Sequence, residues 1–247
     1  MTFHRSRCAL LSLVLFASAV SGQSVASTDS SSAITVSGEV ILSASSSPHQ
    51  PRDASRVVVW LVPIDAVQPV RLATQRGRYR LLQRNKSFEP GLLVVPVGST
   101  VDFPNADPWF HNVFSLYRGK RFDLGLYQAG SQRSVKFDKP GPSYLFCNIH
   151  PEMTGVVLAV DSQLFAMSDR GGHYSITGVV PGKYMLHVWY ENATPEYLQA
   201  LQRPILINQD IRNLPPVTIS VATQVQAEHK NKYGQDYDPD TLKTDYR

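Results

Sequence analysis

The stretch that decides the fold is "YLFCNIHPEM", residues 144–153. A short aromatic and apolar run leads into a cysteine, a histidine follows three positions later and a methionine six positions later. The chain has 2 cysteines, and the other, Cys8, lies in the opening residues. A thiolate is a soft ligand, imidazole is intermediate, and a thioether is soft and weak. Cys147, His150 and Met153 therefore gather three metal-binding side chains on one short loop.

The first residues bear on where that thiol lives. Arg5 and Arg7 precede an apolar run over residues 9–20, "ALLSLVLFASAV", and small residues follow at Ser21 and Gly22. This is the layout of a secretory signal peptide over residues 1–22. The run is too short for a bilayer core of ~30 Å, and no later stretch reaches the ~20 apolar residues of a spanning helix. The expected protein is periplasmic or secreted, with no transmembrane segment. Losing the leader removes Arg5 and Arg7 and no acid, which lowers the formal charge from +4 to +2. So small a charge, with no dense basic run, gives no reason to invoke nucleic acid. In an oxidising compartment cysteines normally pair. Cys147 is left without an intramolecular partner once Cys8 departs, so it is buried, reactive, paired between chains or bound to metal.

Most of the chain has strand character. "VVVWLVP" (residues 57–63), "GLLVVPVGSTVDF" (91–103), "TGVVLAV" (154–160) and "KYMLHVWY" (183–190) are short β-branched and aromatic runs separated by Gly, Pro, Asn and Asp. Such spacing predicts an all-β protein of sandwiches or barrels. Residues 23–33 are a Ser-rich linker, 34–64 hold N-terminal strands, 77–161 form a central block around Cys147, and 162–222 form a second strand-rich block. Residues 223–247 are polar and mixed in charge, and predict an extended or poorly ordered tail unless they dock on the body.

Two imidazoles, a thiolate and a distant thioether describe a blue-copper electron-transfer site. The second imidazole must come from a loop adjacent in space, and His111 in "FPNADPWFHNVFS" (residues 103–115) is the best placed. It follows a strand and a turn built from Pro104, Asn105, Asp107 and Pro108, at the end of a sheet. Greek-key sandwiches cluster distant loops at one end. A thioether is a poor zinc ligand, which favours copper over zinc. His187 alternates with Met185 and Trp189 on a strand and reads as structural. His173 beside a turn, His49 in a loop and His229 in the tail lack a second ligand type at useful spacing. Met167 and Met185 read as packing residues.

With these residues in view, the block 77–161 resembles a cupredoxin of the plastocyanin and amicyanin type. "FEPGLLVVPVGSTVDFPN" resembles the strand pair leading to that family's first ligand, and "HN" matches His111 with Asn112 beside it. "CNIHPEM" matches its Cys-x-x-His-x-x-Met loop. Together with "FDLGLY", these motifs resemble secreted bacterial methylamine-utilisation or plastocyanin-like proteins. "SDRGGHYSITGVVPGKYMLHVWYE" (residues 168–191) resembles a carboxypeptidase-regulatory-like domain, which has a carbohydrate-binding-like sandwich fold. The opening pattern of that fold stands upstream, over residues 36–63, so the cupredoxin is expected to be inserted into a discontinuous second sandwich.

The resemblance implies a Greek-key cupredoxin sandwich holding one type 1 copper through His111, Cys147, His150 and Met153. It implies that Asn112 ties the two ligand loops together and puts an amide near the Cys147 sulfur. Glu152 stands as a competing oxygen ligand or a solvent-facing side chain. With all four ligand positions filled, the expected protein is an electron carrier and not an enzyme. His150 is its expected port, where a redox partner docks briefly, and Pro108, Trp109 and Phe110 either extend an apolar docking patch or cap the core. A copper carrier or store without redox partners is one alternative. A glycan- or partner-binding module is another, although sugar binding does not follow from a fold.

Overall fold

The structure is a computed structural model that describes residues 33–44, 53–64, 77–116, 120–221 and 230–236. The expected leader over 1–22, nearly all of the linker, His49 and His229 lie outside these residues. Among the described residues no helix is long and apolar enough to cross a membrane.

The protein is all-β. Strands β1 (Ile34–Ala44) and β2 (Val58–Pro63) come first. The central block supplies β3 (Arg78–Arg80), β4 (Leu82–Arg84), β5 (Ser87–Glu89), β6 (Leu92–Pro96), β7 (Ser99–Pro104), β8 (His111–Ser115), β9 (Phe122–Tyr127), β10 (Gln132–Phe137), β11 (Gly141–Phe146) and β12 (Thr154–Val160). Then follow β13 (Phe165–Met167), β14 (His173–Val179), β15 (Gly182–Trp189), the helix α1 (Pro195–Ala200), β16 (Arg203–Ile207) and β17 (Val217–Val221). Helix α1 starts on Thr194, whose hydroxyl accepts from the Tyr197 N–H, with proline at its first turn. Both features suit a helix start, but six residues are too few to show a helical stripe in sequence.

The central strands form two facing sheets, β10-β7-β3 and β6-β12-β11-β8-β9, with the hairpin β4-β5 beside them. Phe103, Val113, Phe137, Leu145 and Val157 fill the space between, together with Cys147 and Met153. The flanking strands form β14-β1-β17 and β13-β2-β15-β16, which enclose Val36, Val59, Leu61, Ile176, Leu186 and Ile219. Strand β1 pairs antiparallel with β14 and parallel with β17. Strand β2 pairs antiparallel with β13 and β15. The chain thus begins one sandwich, leaves it after β2 to build another, and returns at β13 to complete the first.

A third apolar layer joins the two sandwiches. On β12, Val157 and Ala159 face the central core, while Val156, Leu158 and Val160 meet Val58, Trp189 and Leu198 of the flanking sandwich. On β2, Val59 and Leu61 enter the flanking core and Val58 faces β12. Strands buried on both faces need no polar alternation, which is why "VVVWLVP" and "TGVVLAV" read as unbroken apolar runs. Each fully buried Val or Leu contributes about 1.5–3 kcal/mol. The layer therefore holds the inner sheet of the central sandwich, which carries both ligand loops, against a fixed support.

Candidate metal centre

Strand β11 ends at Phe146, one residue before Cys147, and β8 begins at His111. The two are antiparallel neighbours, with Phe146 opposite Phe114, so the loop after β11 and the loop before β8 leave the sheet at the same end. The later loop closes on itself. The Cys147 N–H donates to the Met153 carbonyl at 3.3 Å and the Met153 N–H to the His150 carbonyl at 3.0 Å. These bonds close residues 147–153 into a tight turn.

His111, Cys147 and His150 converge on one point. The two Nδ1 atoms are 3.1 Å apart, and the Cys147 Sγ lies 3.6 Å from Nδ1 of His150 and 3.9 Å from Nδ1 of His111. The centre of such a triangle, from the product of its sides over four times its area, lies about 2.1 Å from every corner, where metal–nitrogen bonds run ~2.0–2.1 Å and metal–thiolate bonds ~2.3 Å. All three residues are buried. Met153 is fully buried in the same apolar cluster as Cys147. The His111, Cys147 and His150 donors therefore fit one soft or borderline metal ion without rearrangement of the loops.

The electrostatics agree with a cation at that centre. His111 Nε2 lies 2.8 Å from the Asp107 carboxylate, and both side chains are buried. A carboxylate only accepts, so Nε2 carries the proton and Nδ1 turns its lone pair inward. That lone pair faces the second imidazole at 3.1 Å, a contact that requires a proton or a metal between the rings. Burial holds the His111 pKa below the ordinary imidazole value, with Asp107 opposing it. Burial raises the Cys147 thiol, opposed by the N–H groups of Asn112, Ile149 and His150 directed at its sulfur. A metal ion reverses that thiol penalty, because a coordinated thiol ionises outright.

Asp107 is itself built into place. Its two carboxylate oxygens accept from the N–H groups of Asn85 at 2.7 Å and Lys86 at 2.9 Å. These are the two turn residues of the β4-β5 hairpin, both at positive φ, 53° and 55°, as a two-residue turn of this hand requires. The successive N–H groups form a cradle for an anion. Burial pushes the Asp107 carboxyl up, but these bonds together with His111 hold it below the ordinary carboxylate value. Outer partners of this kind fix ligand orientation. Asp107→Ala is expected to lower copper affinity by about 10–100-fold in a chelator-competition titration; unchanged affinity would mean that His111 is oriented without it.

About a third of the chain is similar to solved cupredoxins. A purple cupredoxin from Nitrosopumilus maritimus matches at 24% identity over 33% of this chain and 99% of that one, with a TM-score of 0.31. A reduced amicyanin variant matches at 24% identity over 34% of this chain and 83% of that one, with a TM-score of 0.33. A copper-containing nitrite reductase from Thermus scotoductus SA-01 matches at 26% identity over 35% of this chain, with a TM-score of 0.33; the match spans 23% of the reductase. No protein-family model and no curated protein matches the chain.

Asn112 does bring an amide to the Cys147 sulfur, but it is the backbone N–H. Its side-chain NH2 donates to Asp123 at 2.6 Å, which sequence reading did not foresee. Glu152 is exposed. His187 stacks on Trp60 with ring centroids 5.0 Å apart, and His173 is exposed beside its turn. His111, Cys147 and Met153 are 0% exposed and His150 is 6% exposed, so His150 alone of the four reaches solvent. Asp107, read from sequence as a turn residue only, is the main functional residue that was missed.

Proposed function

We propose that this chain is an exported type 1 copper protein that carries single electrons between redox partners and is not itself an enzyme. The observation that supports this most directly is the triangle of two imidazole nitrogens and one sulfur, sized for a single ion. Copper in a His2Cys site with a weak axial thioether supplies one-electron transfer. Cys147 provides the thiolate, and His111, locked by Asp107, presents Nδ1 without searching tautomers. Met153 provides the weak axial donor, and a donor set this soft favours copper over zinc.

His150 is the electron port, because it alone of the four residues reaches solvent. Exposed Pro108 and half-buried Trp109 and Phe110, next to His111, extend apolar surface for a brief docking contact. Ligation and burial would keep the one thiol from oxidation in an exported chain. The flanking sandwich, by the resemblance of residues 168–191, is a carboxypeptidase-regulatory-like module in a structural or partner-docking role.

Reconstitution with Cu(II) tests the reading. One equivalent should give an intense thiolate charge-transfer band in the visible and a reversible one-electron couple by voltammetry. Binding without that band would indicate a carrier or store, and no binding would leave the chain a β-sandwich interaction module.

A further inference from the structure

The resemblance to cupredoxins leads one to expect that Asn112 ties the two ligand loops together. In the structure its side chain turns instead to Asp123 on β9, where the pairing with β8 slips between Asn112 and Phe114. Asp123 Oδ1 accepts from the Asn112 amide at 2.6 Å and from the Gly125 N–H at 2.9 Å. An ionised carboxylate accepts only, so the amide must present its NH2 to Asp123, and its Oδ1 is left buried with no hydrogen-bond partner among the described residues. The second carboxylate oxygen, Oδ2, is held by Lys232 Nζ at 2.9 Å.

Lys232 comes from the C-terminal tail, 109 positions beyond Asp123. Its backbone N–H donates to Asn148 Oδ1 at 3.1 Å, and Asn148 follows Cys147 in the ligand loop. One residue therefore links the two ligand-bearing segments. It reaches the residue after His111 through Asp123, and the residue after Cys147 directly. The lysine is presented by a closed turn. The Asn231 N–H donates to the Gln235 carbonyl at 2.8 Å, and Asn231 Oδ1 accepts from the Tyr233 and Gln235 N–H groups at 2.9 and 3.0 Å. Lys230 and Asp236 pair across its ends at 2.5 Å. The Lys232 side chain is 23% exposed and that of Asp123 41%, so the pair is open to solvent on the Asp123 side and partly screened there. The bond to Asp123 raises the Lys232 pKa, which keeps the charge in place.

We propose that Lys232 is a positioning residue of the metal centre, a tail-borne tie that holds the two ligand loops in register and keeps the Asn112 N–H aimed at the Cys147 sulfur. A cation fixed here also favours the less positive, reduced state of a bound copper. Removing the lysine therefore lowers the reduction potential, and removing the Asp123 charge raises it. The loop-positioning role concerns the chain alone; the effect on potential rests on the copper reading.

Two measurements test this. In the metal-free chain, the rate at which Cys147 reacts with a water-soluble aromatic disulfide should rise up to about fivefold in Lys232→Met. The same rise is expected on deletion of residues 230–247, with Lys232→Arg near the parent. An unchanged rate in Lys232→Met and in the deletion overturns the proposal whether or not the chain takes up copper. In the copper-loaded chain, Lys232→Met should shift the potential down, Asp123→Asn should shift it up, and the double variant should fall between them. A tie that acted by mechanical restraint alone would move both single variants in the same direction and would overturn the electrostatic part.

Discussion

Replacing Cys147 by serine should abolish the intense visible absorption of the copper-loaded chain and leave the fold intact. The band arises from charge transfer out of a thiolate sulfur, and a serine hydroxyl is a hard donor that does not ionise in the accessible pH range. The substitution is close to isosteric at a fully buried position, so no cavity of consequence opens. Burying an unpaired hydroxyl costs about 1–3 kcal/mol, but the N–H groups of Asn112, Ile149 and His150 that face the sulfur give a serine oxygen donors to accept from. Thermal unfolding of the metal-free variant should therefore lie close to the parent, while copper affinity falls by orders of magnitude. Met153→Leu, by contrast, should keep the band and shift it, since an axial ligand tunes the site without supplying the transition. Retention of the parent band in the Cys147→Ser chain would place the metal elsewhere.

How much of this was legible in the sequence depends on how far apart the cooperating residues lie. Three donors stand within the seven residues 147–153, and their types alone suggest a soft metal. His111 required one further step, that a strand end and a turn bring it to the same end of a sandwich. The antiparallel pairing of β8 with β11 does this. Asp107 was read only as a turn former because what makes it an anchor is the pair of N–H groups from Asn85 and Lys86, some twenty positions upstream. That turn lacks the glycine by which such hairpins are usually recognised. Lys232 carried no signal, since a lysine in a polar tail has the same composition whether it docks or not. The unbroken apolar runs of β2 and β12 show two buried faces but not which neighbour covers each. The pairing of β2 with β15 rests on contacts across more than a hundred residues, beyond the reach of periodicity.

A large loss of stability is expected from substitution at a single glycine. Gly172 sits at φ +86°, and a Cβ there would lie 2.1 Å from the Val40 carbonyl oxygen. The neighbours cannot yield easily. The Val40 N–H donates to the Gly172 carbonyl at 2.8 Å, and the Gly172 N–H closes a turn onto the Asp169 carbonyl at 3.0 Å. Val40 belongs to β1, the middle strand of its sheet, held by β14 on one side and β17 on the other. A methyl group at 172 must therefore displace a central strand or break the turn, besides taking an L-residue into a backbone region that alone costs about 1–3 kcal/mol. Gly172→Ala should destabilise by more than about 3 kcal/mol, beyond the common range of point substitutions. At roughly 2–4 °C per kcal/mol for a chain of this size, the melting temperature falls by about 6–12 °C or more. Gly171 is the internal control. There the nearest atom to an added Cβ is the His173 ring carbon at 3.2 Å, on an exposed side chain that can turn aside. Gly171→Ala should stay within about 0.5 kcal/mol of the parent, the ordinary range for surface changes. Equal melting temperatures for the two alanine variants would mean that β1 does not approach the β14 turn as closely as this packing requires.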